Sequence, residues 1–145
     1  MARLVALIAC EKVIIDTDNN VSVINLIQEL KLGVREAGVT PKEGDLVPLQ
    51  WTVLSVWYRD EDDMEPFEVE FVFLSPTKTP IFKSVPATVN FDGFTKRLMR
   101  VVSPINLFPA WLEGWSEVVL SAKTSGQDRF VEQARYPILL THDAT

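Results

Sequence analysis

LVALIACEKVIID at residues 4–16, TDNN at 17–20 and VSVINLIQEL at 21–30 read as apolar run, polar turn and apolar run. Alternating the first run places Leu4, Ala6, Ile8, Cys10, Lys12 and Ile14 on one face and Val5, Leu7, Ala9, Glu11, Val13 and Ile15 on the other. Both faces are nearly apolar, which predicts a central strand, or one that crosses between sheets. Val13, Ile14 and Ile15 in succession weigh against a helix, because β-branched side chains lose rotamer freedom there. Thr17 to Asn20 are turn formers that bond their own backbone. Asn25 is a candidate bulge or pairing residue in the second run, which is read as one strand to Lys31.

The same pattern continues outward. Strands are predicted at 50–58, 67–74, 81–90, 95–102, 115–123 and 129–140. Residues 67–74 show the cleanest alternation: Phe67, Val69, Phe71 and Phe73 on one face, Glu68 and Glu70 on the other. Pro86 marks an edge or bulged strand, because proline cannot donate to a ladder. Turns are predicted at 60–65, 76–80, 92–93 and 125–128, and loops at 33–48 and 104–109. The long loop at 33–48 is read as functional or as a crossover between sheets, with a short helical turn near Pro41. About eight strands and no helix of core length predict an all-β fold, an antiparallel β-sandwich filling residues 1–145 as one domain.

The chain carries 20 acidic and 14 basic residues, a net charge of −6. That balance disfavours nucleic-acid backbones and anionic membranes. A single cysteine, Cys10, forbids an internal disulfide and fits a cytoplasmic setting. Leu7-Ile8-Ala9-Cys10 imitates a lipoprotein processing box, but the apolar stretch before it is shorter than the roughly 7–15 residues of a signal. No run approaches the roughly 18 apolar residues of a membrane span.

Asp16, Asp18 and Asn20 match the first ligand positions of an EF-hand loop, but the required Gly is Val21 and the closing Glu is Ile27. A turn explains them. The calcium alternative joins Asp16 and Asp18 to Asp60, Asp62 and Asp63 of the acidic segment 60–65, if the two lie at one end. Lys96, Arg97 and Arg100 form the main basic cluster; one reading has them receive an acidic partner or a phosphate, and the favoured expectation has them face water or pair with Glu68 and Glu70. Cys10, inside an apolar strand beside Glu11, reads as core rather than nucleophile. His142, the only histidine, is expected in a frayed tail. No catalytic, cofactor or zinc motif is present. Trp111 and Trp115 are candidate partner-binding residues, or a plug over one end of the core.

Residues 6–16 and 21–26 resemble the opening of a family of small bacterial proteins of unknown function. Those proteins begin with an apolar strand ending in Cys and an acidic residue, then a polar turn and a Val-Ser-x-Ile type strand. Residues 67–83, with Ser75-Pro76-Thr77 at the turn, are similar to that family's middle hairpin, and 113–140, from Glu113-Gly114-Trp115, to its closing one. The 33–48 insertion and the 111–115 segment depart from it. The resemblance implies an immunoglobulin-like or C2-like sandwich and carries over no catalytic residue. The expectation is a module that binds another protein or a copy of itself, with a calcium-dependent module second and a carboxylate enzyme third.

Overall fold

The first strand, β1 (Arg3–Ile15), is the spine that the apolar run predicts. It pairs antiparallel on one side with β2 (Val21–Leu26) and on the other with β4 (Leu46–Tyr58). The turn between β1 and β2 closes on Asp16, whose carboxylate accepts the Asp18 and Asn20 amides, each at 2.9 Å. Asn19 adopts a positive φ of 66°, which a short polar side chain tolerates. Asn25 is a partner rather than a bulge: the β1–β2 register runs past it without a shift, its φ is 52°, and its amide donates to Glu11 at 2.6 Å.

The computed structural model describes residues 1–35, 41–90 and 97–144. Among these, the remaining strands are β3 (Glu29–Arg35), β5 (Phe67–Leu74), β6 (Pro80–Lys83), β7 (Ala87–Val89), β8 (Leu98–Pro109), β9 (Gly114–Thr124) and β10 (Val131–Ala144). They build two sheets. The first has order β2-β1-β4-β8; the second has order β3-β10-β9-β5-β6, with β7 also paired to β5. The second sheet is curled.

Among the described residues ten strands stand where eight are predicted, for local reasons. The run 21–31 is two strands. The Ile27 amide still bonds Ala9 of β1 at 2.8 Å, while the Gln28 carbonyl already accepts from Leu139 of β10 at 2.9 Å. The chain changes sheet between adjacent residues, and no Gly or Pro announces it. The β3–β10 pairing is parallel, so the fold is not purely antiparallel as predicted. Residues 81–90 are also two strands, β6 and β7, split around Pro86 and both paired to β5. β8 runs on through Pro104, where a loop was expected, because it is an edge strand and the missing proline donor is not needed there. Pro137 sits inside β10 just before β3 begins pairing at Leu139. The 33–48 segment does cross between sheets, from β3 to β4. At its described end Asp45 caps a turn by accepting the Lys42 amide at 2.8 Å, with no helix. The predicted turn at Asp92-Gly93 and the basic residue Lys96 lie outside the described residues.

One core lies between the sheets. Trp51, Val53 and Trp57 of β4 face Phe67, Val69, Phe71 and Phe73 of β5, with Val118, Leu120, Ile138 and Leu140 behind them. Aromatic contacts join the sheets face to face: Trp57 with Phe67 at 4.9 Å, Phe108 with Phe73 at 5.0 Å and Trp51 with Phe73 at 6.3 Å. Such pairs contribute about 0.5–1.5 kcal/mol each beyond their buried area.

The outer face of the second sheet is laced with ion pairs. Glu68 meets Lys123 and Glu70 meets Lys83, each at 3.4 Å, and Glu117 is flanked by Lys78 and Arg135. The expected pairing of Glu68 and Glu70 with Arg97 and Arg100 does not occur, because β5 and β8 belong to different sheets.

The hydrogen bond from Lys78, with Arg135 nearby, holds the Glu117 carboxyl below its ordinary value of 4.5. A carboxyl depressed in the folded state adds stability above its unfolded pKa, and that contribution is lost as pH falls through the folded pKa. Glu117→Gln is therefore expected to cost about 0.2–1 kcal/mol at neutral pH. Urea melts of both proteins should converge as pH drops below the ordinary carboxylate range; a gap that persists in acid would show that another interaction was lost.

Candidate functional site

β4 alternates strictly, so Thr52, Leu54, Val56 and Tyr58 point away from the shared core. Leu54 pairs with Ile8 of β1 and Val102 of β8, giving the first sheet an apolar outer face. Leu54 is nevertheless only 1% exposed, so that face is covered.

The β1–β2 hairpin returns across it. Ala6 pairs with Val56, and Val56 with Arg100, so Arg100 lies two strands from Ala6. A straight β1 would carry its end about 30 Å beyond Ala6 at about 3.3 Å per residue. Instead the Arg100 guanidinium donates to both the backbone carbonyl and the side-chain oxygen of Asn19 at the hairpin tip. β1 must therefore bend back over its own sheet, and Arg100 clasps it there.

Between the hairpin tip and the β4–β8 face lies a groove of about 580 Å³. Val21, Val56 and Leu98 give it apolar walls, while Tyr58, Arg97 and Arg100 bring polar groups. Arg97 donates to the Tyr58 hydroxyl at 3.1 Å and pairs with the exposed Glu61 at 3.0 Å. These bonds raise the Arg97 pKa, the Tyr58 hydrogen bond foremost. A second groove of about 510 Å³ separates β8 from the segment joining β6 and β7; Phe82, Val85, Val102 and Leu107 line it, with no charged side chain.

The calcium candidates divide around the first groove. Asp18 lines it, while Asp16 is committed to its turn. Asp60 pairs with Arg3 at 3.2 Å, and Asp63 with the Met1 amine at 2.8 Å. That amine's hydrogen bond holds the Asp63 carboxyl below its ordinary range. Glu61, from the same segment as Asp62, pairs with Arg97, which lines the groove with Asp18. Among the described residues no three His, Cys, Asp or Glu side chains are grouped to hold a metal ion.

Trp111 and Trp115 do not act as a pair. Trp111 packs against the core beside the buried Leu112, as a plug would; Trp115 stands 58% exposed on β9. Gly114, at a φ of 110°, turns the chain between them and sits so close to Pro76 that a Cβ would approach its ring to 3.3 Å. Cys10 is fully buried, and burial pushes its thiol pKa up, away from nucleophilic use. His142 is not in a frayed tail: it lies in β10, with Nε2 2.6 Å from the Ala110 carbonyl oxygen. Among the described residues no helix is long and apolar enough to cross a membrane.

The groove could not be found in the sequence, because Asn19 and Arg100 are 81 residues apart and only the bend in β1 joins them. No family model matches the chain, and no curated protein matches it.

If Arg100 holds the hairpin down, Arg100→Ala should raise amide hydrogen exchange at residues 16–23 by about tenfold, the effect of losing one charge-assisted hydrogen bond. Exchange in β5 and β9 should not change. Unaltered exchange at the hairpin would show that the clasp does not hold it.

Proposed function

We propose that this chain is a binding module that works by association rather than by chemistry, and that β2 is where a second copy pairs. The observation that carries this reading is the state of the sheet edges. β3 bears Glu29 and Lys31; β6 bears Pro80 and Lys83; β8 bears Arg100, Pro104 and Pro109. Charges and prolines at an edge block strand pairing, and β7, which pairs only with β5 among the described residues, is too short, at three residues, to offer much of an edge. β2, VSVINL, has neither, and among the described residues its outer side is unpaired.

The side chains around that edge point the same way. Ile24 and Leu26 are 38% and 60% exposed, and Ile14 lies exposed opposite Ser22. An antiparallel β2–β2 contact would be self-complementary, join the backbones in one continuous sheet and cover those apolar groups. The exposed Trp115 supplies a separate contact for a different protein partner. The net charge of −6 supports a reading without nucleic acid or membrane, and the single buried Cys10 supports a cytoplasmic one. In this proposal the architecture is the immunoglobulin-like or C2-like sandwich that the opening residues imply, and the all-β, two-sheet fold supports it.

Sedimentation equilibrium of the wild-type chain should give twice the chain mass, and Ile24→Lys, which sets like charges face to face across the pair, should give a single chain mass. Near-UV circular dichroism should be unchanged in the variant, since Ile24 lies outside the core. A wild-type chain that stays monomeric at millimolar concentration overturns the proposal.

A further inference from the structure

We infer that the groove beneath the β1–β2 hairpin is a binding site for a small amphiphilic anion: a carboxylate or phosphate head on a hydrocarbon body. This does not rest on pairing through β2. The volume, about 580 Å³, falls in the range of about 300–1,000 Å³ typical of small-molecule sites. Val21, Val56 and Leu98 supply a wall for the hydrocarbon.

The head is selected by charge. Two guanidinium groups, Arg97 and Arg100, stand in the lining. Arg100 spends its hydrogen bonds on the neutral acceptors of Asn19, so its positive charge faces the groove without a bonded carboxylate among the described residues. A guanidinium has donors to spare after two such bonds, and its planar fork matches a carboxylate or phosphate. Among the described residues the carboxylate that meets Arg97 is Glu61, which is 82% exposed and therefore well screened. Asp18, also in the lining, disfavours an anion on its side of the groove and so places the head towards β8. The groove beside Val85 and Leu107 has comparable room but no charged lining, and gives an anion nothing to hold.

Because Arg100 is also the clasp on Asn19, an anion that takes up its remaining donors would fill the space that the hairpin roofs. Ligand and hairpin would then be held by one side chain.

The test is calorimetric titration of the whole chain with sodium decanoate, decyl phosphate and decanol, each below its aggregation limit. At least one of the two anions is expected to bind, and decanol at least about tenfold more weakly, since one charge-assisted hydrogen bond is worth about that factor. The tighter anion identifies the head. Arg97→Met combined with Arg100→Met should cost the anion about tenfold per arginine, a larger loss than decanol suffers from the loosened hairpin. Should that double variant fail to fold, Arg97→Met alone, at a partly exposed site, and Val56→Trp, which fills the groove, serve instead; the first should weaken the anion and the second should abolish binding. Failure of both anions to bind the wild-type chain, equal binding of decanol, or anion affinity unaffected by loss of the arginines would overturn the inference.

Discussion

A strand with two apolar faces must be covered twice. β1 is such a strand, and the rest of the molecule follows from how each face is covered. Its inner face, with Ala9, joins the core shared with the second sheet. Its outer face continues into Leu54 and Val56 of β4 and Val102 of β8, an apolar surface that water would penalise at about 25 cal/mol per Å². The chain supplies its own cover by bending β1 and bringing the hairpin back, with Asn19 held on Arg100. The cover is incomplete: Leu54 is sealed, whereas Ile14, Ile24 and Leu26 are left at the surface and a groove opens near the hairpin tip. Both functional proposals arise from that incompleteness.

The two sheets treat their outer faces differently. The second sheet carries crossed carboxylates and cations, with Glu117 between Lys78 and Arg135 as its centre. Its pairs through the exposed Lys78 and Arg135 are individually weak and screened by salt, whereas Glu70, paired with Lys83, is buried. Among the described residues of its paired strands, the first sheet carries few charges on its outer face, Arg3, Lys12 and Arg100, and Arg3 lies over the Tyr58 ring at 5.5 Å. Polar satisfaction on that side therefore concentrates where the hairpin tip lands. A charge placed in an apolar setting is stronger than one in water, and the few guanidiniums there matter more than the larger number on the other sheet.

The all-β class, the Asp16–Asn20 turn and the inward phenylalanines of β5 were legible because a period of two and Asx-type turns are local signals. The sheet switch at Ile27–Gln28 was not, since it is written only in which strands accept the Ile27 amide and donate to the Gln28 carbonyl. Pro104 misled for a related reason: a proline ends a central strand but not an edge, and edge status is a tertiary fact. At the candidate site Arg97 and Arg100 were visible as a basic cluster and Asp16 as a turn former. Their meeting across the first sheet depends on a bend that no local pattern encodes. Trp111 and Trp115 looked like one feature because they are close in sequence; with Gly114 at a positive φ between them, one is a half-buried ring packed on the core and the other an exposed ring.

The central claim is that the β1–β2 hairpin lies back across the outer face of its own sheet. Paramagnetic relaxation from a nitroxide on Asp18→Cys at the hairpin tip tests this most directly, read at the methyl groups of Val56 and Leu98. The structure predicts strong broadening of those β4 and β8 methyls, because Asp18 lines the same groove as they do. Val56 and Leu98 methyls left sharp, as a hairpin running straight on from β1 would leave them, would exclude the bend, and with it both the clasp and the site beneath it.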